Sequence, residues 1–242
     1  SGQTTSNTAD VTSQGTYVGG VVGWVMSNGV ISVNSTLSNS GNVSGSEYIG
    51  GIAGGIGNTA PAGAKFSNTA SATEVGVSNT GTVAGTVNVI GGFFGIINGT
   101  NVVIGNVTNT AAVTGGSYVG GVAGQMSNGT FGVSGGIISN TGTITGTDRT
   151  GGIIGSLIGG TFGVSGGTIS NTGAVISSGI NVGGVVGIVS GGTVVLMPNS
   201  TLSNSGSISG SGYVGGIAGS FGSIAAPGVI FSNAAGATEI GV

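Results

Sequence analysis

The chain carries almost no charge. It has two basic and five acidic residues among 242, or 3%, against roughly a quarter in ordinary soluble domains. With a net charge of −3, its two cations cannot neutralise a phosphate backbone, which argues against a nucleic-acid partner held in that way. Cysteine and histidine are both absent, which removes disulfides, structural zinc and every histidine-based catalytic arrangement. The lack of cysteine leaves the redox compartment open. Runs of apolar residues and glycine together stop at about a dozen residues or fewer, short of the roughly 18 that a spanning helix needs. Twelve aromatics (one Trp, four Tyr, seven Phe) are too few for the two girdles of a membrane barrel. No signal peptide is visible at Ser1, which reads as a mature, processed product or a piece of something longer.

What is abundant is glycine, 58 residues, and it is periodic. Tyr17-Val-Gly-Gly-Val-Val-Gly23 returns at Tyr48–Gly54, Val89–Gly95, Tyr118–Gly124, Arg149–Gly155, Asn181–Gly187 and Tyr213–Gly219. The pairs are Gly19 and Gly20, Gly50 and Gly51, Gly91 and Gly92, Gly120 and Gly121, Gly151 and Gly152, Gly183 and Gly184, and Gly215 and Gly216. Their spacings are 31, 41, 29, 31, 32 and 32 residues. A fixed period of this length signals a repeat architecture. A second motif precedes each pair, as in Ser38-Asn-Ser-Gly-Asn-Val-Ser-Gly45 and Ser139-Asn-Thr-Gly-Thr-Ile-Thr-Gly146. A third follows it: Asn28-Gly29, Asn98-Gly99 and Asn128-Gly129, replaced by Gly159-Gly160 and Gly191-Gly192. These last dipeptides suit turns that need positive φ.

Apolar residues alternate with Ser, Thr or Gly, as in Thr143-Ile-Thr145, which is strand periodicity. So much glycine forbids helix. The expected fold is all-β: a parallel β-solenoid of about seven coils with repeats of roughly 31 residues, a single unit over 1–242. At about 4.8 Å per coil the rod would be roughly 35 Å long. A further strand is expected at segments like Thr161-Phe-Gly-Val164. The 41-residue spacing marks an insertion at 60–77, expected to run beside the rod. It recurs at 225–242, because residues 34–77 and 199–242 align without gaps, 29 of 44 identical. In that alignment Val242 is the equivalent of Val77.

The Tyr-Val-Gly-Gly-x-x-Gly motif resembles the GLUG-type repeat of large secreted bacterial surface proteins and adhesin-like β-helical proteins. The resemblance runs through all seven copies. It implies the architecture and says little about activity. Positions 89, 149–150 and 181 depart from the Tyr-Val opening.

The carboxylates are Asp10, Glu47, Glu74, Asp148 and Glu239, too scattered for paired-carboxylate catalysis. Glu74 and Glu239 occupy equivalent places, as corner residues bonding local backbone or as interface charges. Asp148-Arg149 reads as an exposed turn pair. Gly210-Ser-Gly-Tyr-Val-Gly215 matches a dinucleotide fingerprint, but no helix follows it. Calcium-roll signatures are missing. The chain is therefore read as a non-enzyme that needs no cofactor and no metal. Asn-x-Ser/Thr sequons such as Asn34-Ser-Thr36 arise by chance in this composition; buried Asn and Thr are expected to bond in ladders along the stack. The Gly-Gly block places apolar residues at both parities (Val18, Val21, Val22). Either an apolar stripe faces outward for lateral contact, or a bulge or corner keeps both rows inside.

The leading functional expectation is a structural subunit of an extracellular filament whose partner is itself, assembling head to tail, with lateral bundling left open. The N-terminal residues Ser6, Asn7, Thr8 and Val11 would meet Ala237, Glu239, Ile240 and Val242 of the next subunit. An adhesin or host-binding stalk segment is the alternative. An ice-binding solenoid ranks third, because the Thr141, Thr143, Thr145 row becomes Ser40, Asn42, Ser44 in another copy.

Overall fold

The computed structural model describes residues 4–26, 30–33, 36–57, 65–68, 77–222, 230–233 and 238–240. They form a β-solenoid of parallel strands, and no helix occurs among them. Each level adds one strand to each of three sheets and up to two to the first. The first sheet has 13 strands and the other three have seven each. The chain passes through the second, third and fourth sheets and returns to the first, so seven levels are joined by six steps of the repeat.

The alternation of small and apolar residues explains this path. In the second sheet Val43 pairs with Val83 and Val11, and the row continues through Val113, Ile144, Val175 and Ile208. In the first sheet Leu37, Val77, Val107, Ile138, Ile169 and Leu202 form another inward row. A buried side chain of this size contributes about 1.5–3 kcal/mol, and stacking like on like lets every coil repeat the gain. Phe131 and Phe162 stack with ring centroids 5.7 Å apart. The expected strand at Thr161 is present as Thr161–Ser165. Gly99, Gly129, Gly160 and Gly192 all have positive φ, as the turn dipeptides predict, whereas Asn28-Gly29 lies outside the described residues.

The question of parity is resolved in favour of the corner. The third sheet ends at the first glycine of each pair and the fourth begins at the apolar residue three positions on, as at Gly19 and Val22. The chain turns between them. Ile49 and Ile52 are both buried, as are Ile90 with Phe93 and Phe94, so no outward apolar stripe exists at this block.

The turn also divides the interior. One core, between the first and fourth sheets, contains Ile52, Phe93, Phe94, Phe131 and Phe162. A smaller one, between the second and third, contains Val18, Val43, Ile49, Val83, Ile90, Val113, Val119 and Ile144.

Two expectations about the insertion need correction. Its residues Lys65–Asn68 form a strand inside the first sheet, paired with Val30–Val33 on one side and Asn101–Val103 on the other. They are therefore part of the wall and not beside the rod. The remainder, 58–64 and 69–76, lies outside the described residues. At the C-terminal copy, Val77 pairs with Leu37, so the duplication would set Val242 opposite Leu202. Glu239 stands there instead, a slip of 242 − 239 = 3 residues. The physical reason lies in the next residues. Val77 continues into Ser78-Asn79, whose asparagine locks the register, and Thr238–Ile240 contains no asparagine.

Candidate functional site: the waist, the outer aromatic face and the open ends

Between the two cores runs an asparagine ladder. Asn7 Nδ2 donates to Asn39 Oδ1 (2.7 Å), Asn39 to Asn79, Asn79 to Asn109, Asn109 to Asn140, Asn140 to Asn171, and Asn171 to Asn204 (2.8 Å). The second N–H of each amide goes to the carbonyl two residues on, for example Asn140 to Gly142 (2.9 Å). Every internal amide is thus satisfied, which buried polar groups require. All ladder bonds point one way, from the N-terminal towards the C-terminal end.

The glycine pairs are what this ladder leans on. A methyl group on Gly20 would lie 2.5 Å from Asn39 Oδ1 and 2.3 Å from Gly51 O, and the same holds at Gly51 with Asn79 and at Gly92 with Asn109. Gly121, Gly152 and Gly184 meet Asn140, Asn171 and Asn204 in the same way. The first glycines, Gly19, Gly50, Gly91, Gly120, Gly151, Gly183 and Gly215, face the carbonyl three residues on, 1.9–2.1 Å from a would-be Cβ. These contacts across the waist require glycine on steric grounds. Gly216 closes the series in sequence.

The outer surface near this corner holds the polar aromatics. Tyr17, Tyr48, Val89, Tyr118 and Arg149 open the repeat motif in the first five levels, and all have φ between 48° and 64°. Left-handed backbone costs such residues about 1–2 kcal/mol each. The ladder skips them, pairing Thr16 with Glu47 and Val18 with Ile49, so aligned bulges run up the rod. At the first level the bulge carries Tyr17 over the fourth-sheet strand Val22–Val25. Tyr17 stacks on Trp24 (4.2 Å) and on Tyr48 (4.7 Å), and Trp24 Nε1 donates to Gly57 O (2.7 Å). Arg149 lies over the Tyr118 ring, 4.7 Å from its centroid, and donates to its hydroxyl. Asp148 and Arg149 are an ion pair of 3.6 Å, both part-buried within a strand, and not the exposed turn pair expected. Further along, a hollow of about 730 Å³ is lined by Tyr118, Arg149, Asn181, Tyr213, Ser156 and Ser220 among others.

Burial first, and then the neighbouring Glu47 carboxylate, push the Tyr48 phenol above its ordinary value. A raised folded-state pKa favours the neutral form in the native protein. Its stabilisation is complete below the unfolded value near 10 and is lost as pH rises through the folded value. Melting temperature should therefore fall more steeply as pH rises above about 10 in the parent than in Tyr48→Phe. Identical profiles would refute the shift.

The ends complete the picture. Among the described residues, no strand lies outside Ile208–Ser209, Tyr213–Gly215 or Ala218–Phe221 at the C-terminal end. A hollow of about 540 Å³ opens there between Ser205, Ser207, Ile208, Val214 and Gly215, and Val214 is 44% exposed. This is the smaller core cut open. At the other end, Val11–Thr12, Thr16–Gly19 and Val22–Val25 each have a partner strand on one side only. Of the expected interface residues, Ser6 and Asn7 lie in the terminal strand Thr4–Asn7, Thr8 follows it exposed, and Val11 is half-buried against the smaller core. Glu239 and Ile240 lie in the strand Thr238–Ile240, which removes the corner reading of Glu239. Ala237, Val242 and Glu74 fall outside the described residues. The described residues contain no cluster of potential metal ligands, and none of their helices could cross a membrane, there being none. The sequence signal for the ends was the repeat register. The bulged aromatic face had no such signal.

No family model matches the chain, and neither a curated protein nor a solved structure shows significant similarity to it.

Proposed function

We propose that the chain is a structural subunit of an extracellular filament, assembling head to tail by stacking of solenoid ends. The observation that carries this reading is the complementarity of the two ends. Both terminal levels expose parallel strands of the same sheets in the same repeat register. Among the described residues, Asn204 at one end has an amide N–H with no ladder acceptor, while the Asn7 Oδ1 at the other accepts only from Ala9 N, at 3.3 Å. Parallel edges that expose N–H and C=O groups pair readily with another chain. A contact between unlike ends does not close on itself, so it propagates. The near-absence of charge and the resemblance to surface-protein repeats support placement outside the cell.

Stacking would set Val18 of one subunit over Val214 of the next, continuing the row Val18–Ile49 to Val182–Val214. Val214→Asp should then abolish polymer while leaving the fold intact, since Val214 is exposed in the monomer. Sedimentation and negative-stain microscopy of the parent should show rods many subunits long. A parent that stays monomeric at high concentration, or a variant that polymerises equally, would overturn the proposal.

A second reading, an adhesive stalk segment, is favoured by the outer face, where the four tyrosines, the tryptophan and the arginine gather. Parent and Arg149→Ala/Tyr213→Ala proteins adhering equally to a cell layer would remove it.

A further inference from the structure

We infer that filament growth requires strand exchange: the terminal strand Thr4–Asn7 of an incoming subunit displaces the strand Thr238–Ile240 from its seat on Thr201–Asn204. The inference rests on the stacking proposed above, and follows from counting places. In a continued stack, the next subunit's Val11–Thr12 falls on Ile208–Ser209, its Thr16–Gly19 on Tyr213–Gly215, and its Val22–Val25 on Ala218–Phe221. Its Val30–Val33 then falls on Ile230–Asn233, which extends the first sheet by pairing with Thr193–Leu196. One place remains, on Thr201–Asn204. The incoming Thr4–Asn7 immediately precedes Val11 and must occupy that place. Thr238–Ile240 already fills it. The two strands cannot share it.

Register decides which strand fits better. Thr4-Thr5-Ser6-Asn7 already pairs residue for residue with Thr36-Leu37-Ser38-Asn39, a tetrapeptide identical to Thr201-Leu202-Ser203-Asn204. On the second site it would set Thr on Thr, Ser on Ser and Asn on Asn. Asn7 would bring its Oδ1 to the outgoing N–H of Asn204 and extend the ladder by one bond, with the polarity that all the others share. Thr238–Ile240 offers no asparagine to the ladder, and it pairs with the tetrapeptide over three residues, where Thr4–Asn7 and Thr168–Asn171 each pair over four. The resident strand is therefore a weak occupant that covers the edge until a second copy arrives.

The absence of cysteine makes cross-linking a clean test. Neighbouring parallel strands lie about 4.8 Å apart, within the range of Cα separations that a disulfide spans. Full-length Ser6→Cys and Ser203→Cys proteins are mixed under reducing conditions, allowed to assemble and then oxidised. Exchange predicts a disulfide-linked heterodimer severalfold above a Ser6→Cys plus Ser139→Cys mixture, which controls for random collision. Thr12→Cys with Ser209→Cys reports stacking alone. If that pair cross-links and the first does not, stacking stands and exchange is overturned; if neither does, both fall. A chain ending at Asn233 lacks the resident strand and should cross-link through Ser6 and Ser203 faster than the full chain. An unchanged rate would also overturn the exchange.

Discussion

Gly120→Val combined with Gly121→Val should leave no cooperatively folded protein. A Cβ at Gly120 would sit 2.1 Å from Ala123 O and 2.8 Å from Gly155 N, and one at Gly121 2.2 Å from Gly152 O and 2.6 Å from Asn140 Cγ. Three of these four obstacles are backbone atoms of strands fixed from above and below, so no side-chain rotation relieves them. Relief requires the third and fourth sheets to separate at the waist, which opens both cores at once. The loss exceeds the roughly 1–3 kcal/mol of ordinary overpacking, because two valines must enter a space without room for one methyl group. Thermal melting followed by far-ultraviolet circular dichroism is the measurement. Gly163→Ala is the control: its nearest neighbours are 3.9 Å away, and the change should stay within about 0.5 kcal/mol of the parent. A double variant that melts like the parent would show that the corner is plastic.

Removing one rung of the asparagine ladder should have the next largest effect. Asn140 donates to Asn171 Oδ1 at 2.7 Å and to Gly142 O at 2.9 Å, and accepts from Asn109 Nδ2 at 2.7 Å. Asn140→Ala strands three groups, and Asn109, Asn140 and Asn171 are at most 1% exposed. At about 1–3 kcal/mol for each unsatisfied group, the expected cost is about 3–9 kcal/mol. Asn140→Asp should cost more still, since a carboxylate cannot donate onward and would be ionised between two apolar cores. The adjacent outward residue provides the comparison. Ser139 bonds only to the exposed Thr108 hydroxyl (3.1 Å), and Ser139→Ala should change stability by less than about 0.5 kcal/mol. Chemical denaturation of the three variants measures the ranking; equal midpoints for Asn140→Ala and Ser139→Ala would refute it.

The stacking of coils was legible because Gly-Gly recurs at nearly constant spacing, and constant spacing is what a parallel register enforces. Ladders of asparagine along the stack could also be anticipated from composition. The division of the interior into two cores could not, because it arises from Gly121 touching Asn140 across the waist, and strand alternation says nothing about contacts between sheets. Nor did the sequence show that Tyr17, Tyr48 and Arg149 adopt left-handed backbone. Those side chains carry no preference for it, and a tyrosine before valine reads as the start of an extended strand. What holds them there is the alignment of one bulge upon the next. The strand Thr238–Ile240 misled most directly: four of the five residues 238–242 match 73–77 and implied a shared register, yet the asparagine that fixes register lies two residues beyond Val77.

Because every strand lies across the rod, the backbone hydrogen bonds of all four sheets run along it. Tension applied to the two ends therefore pulls these bonds straight apart, one level at a time, beginning at an open end, where each strand has a single neighbour. A level that comes loose frees about 31 residues, the spacing from Gly120 to Gly151. Drawn out at about 3.3–3.6 Å per residue, that is roughly 100 Å of chain, where about 4.8 Å of rod stood before. Each rupture lengthens the molecule by roughly twenty times the height it removes, relaxing the load on the levels that remain. Such a rod would be stiff under small forces and would absorb large ones by paying out chain coil by coil.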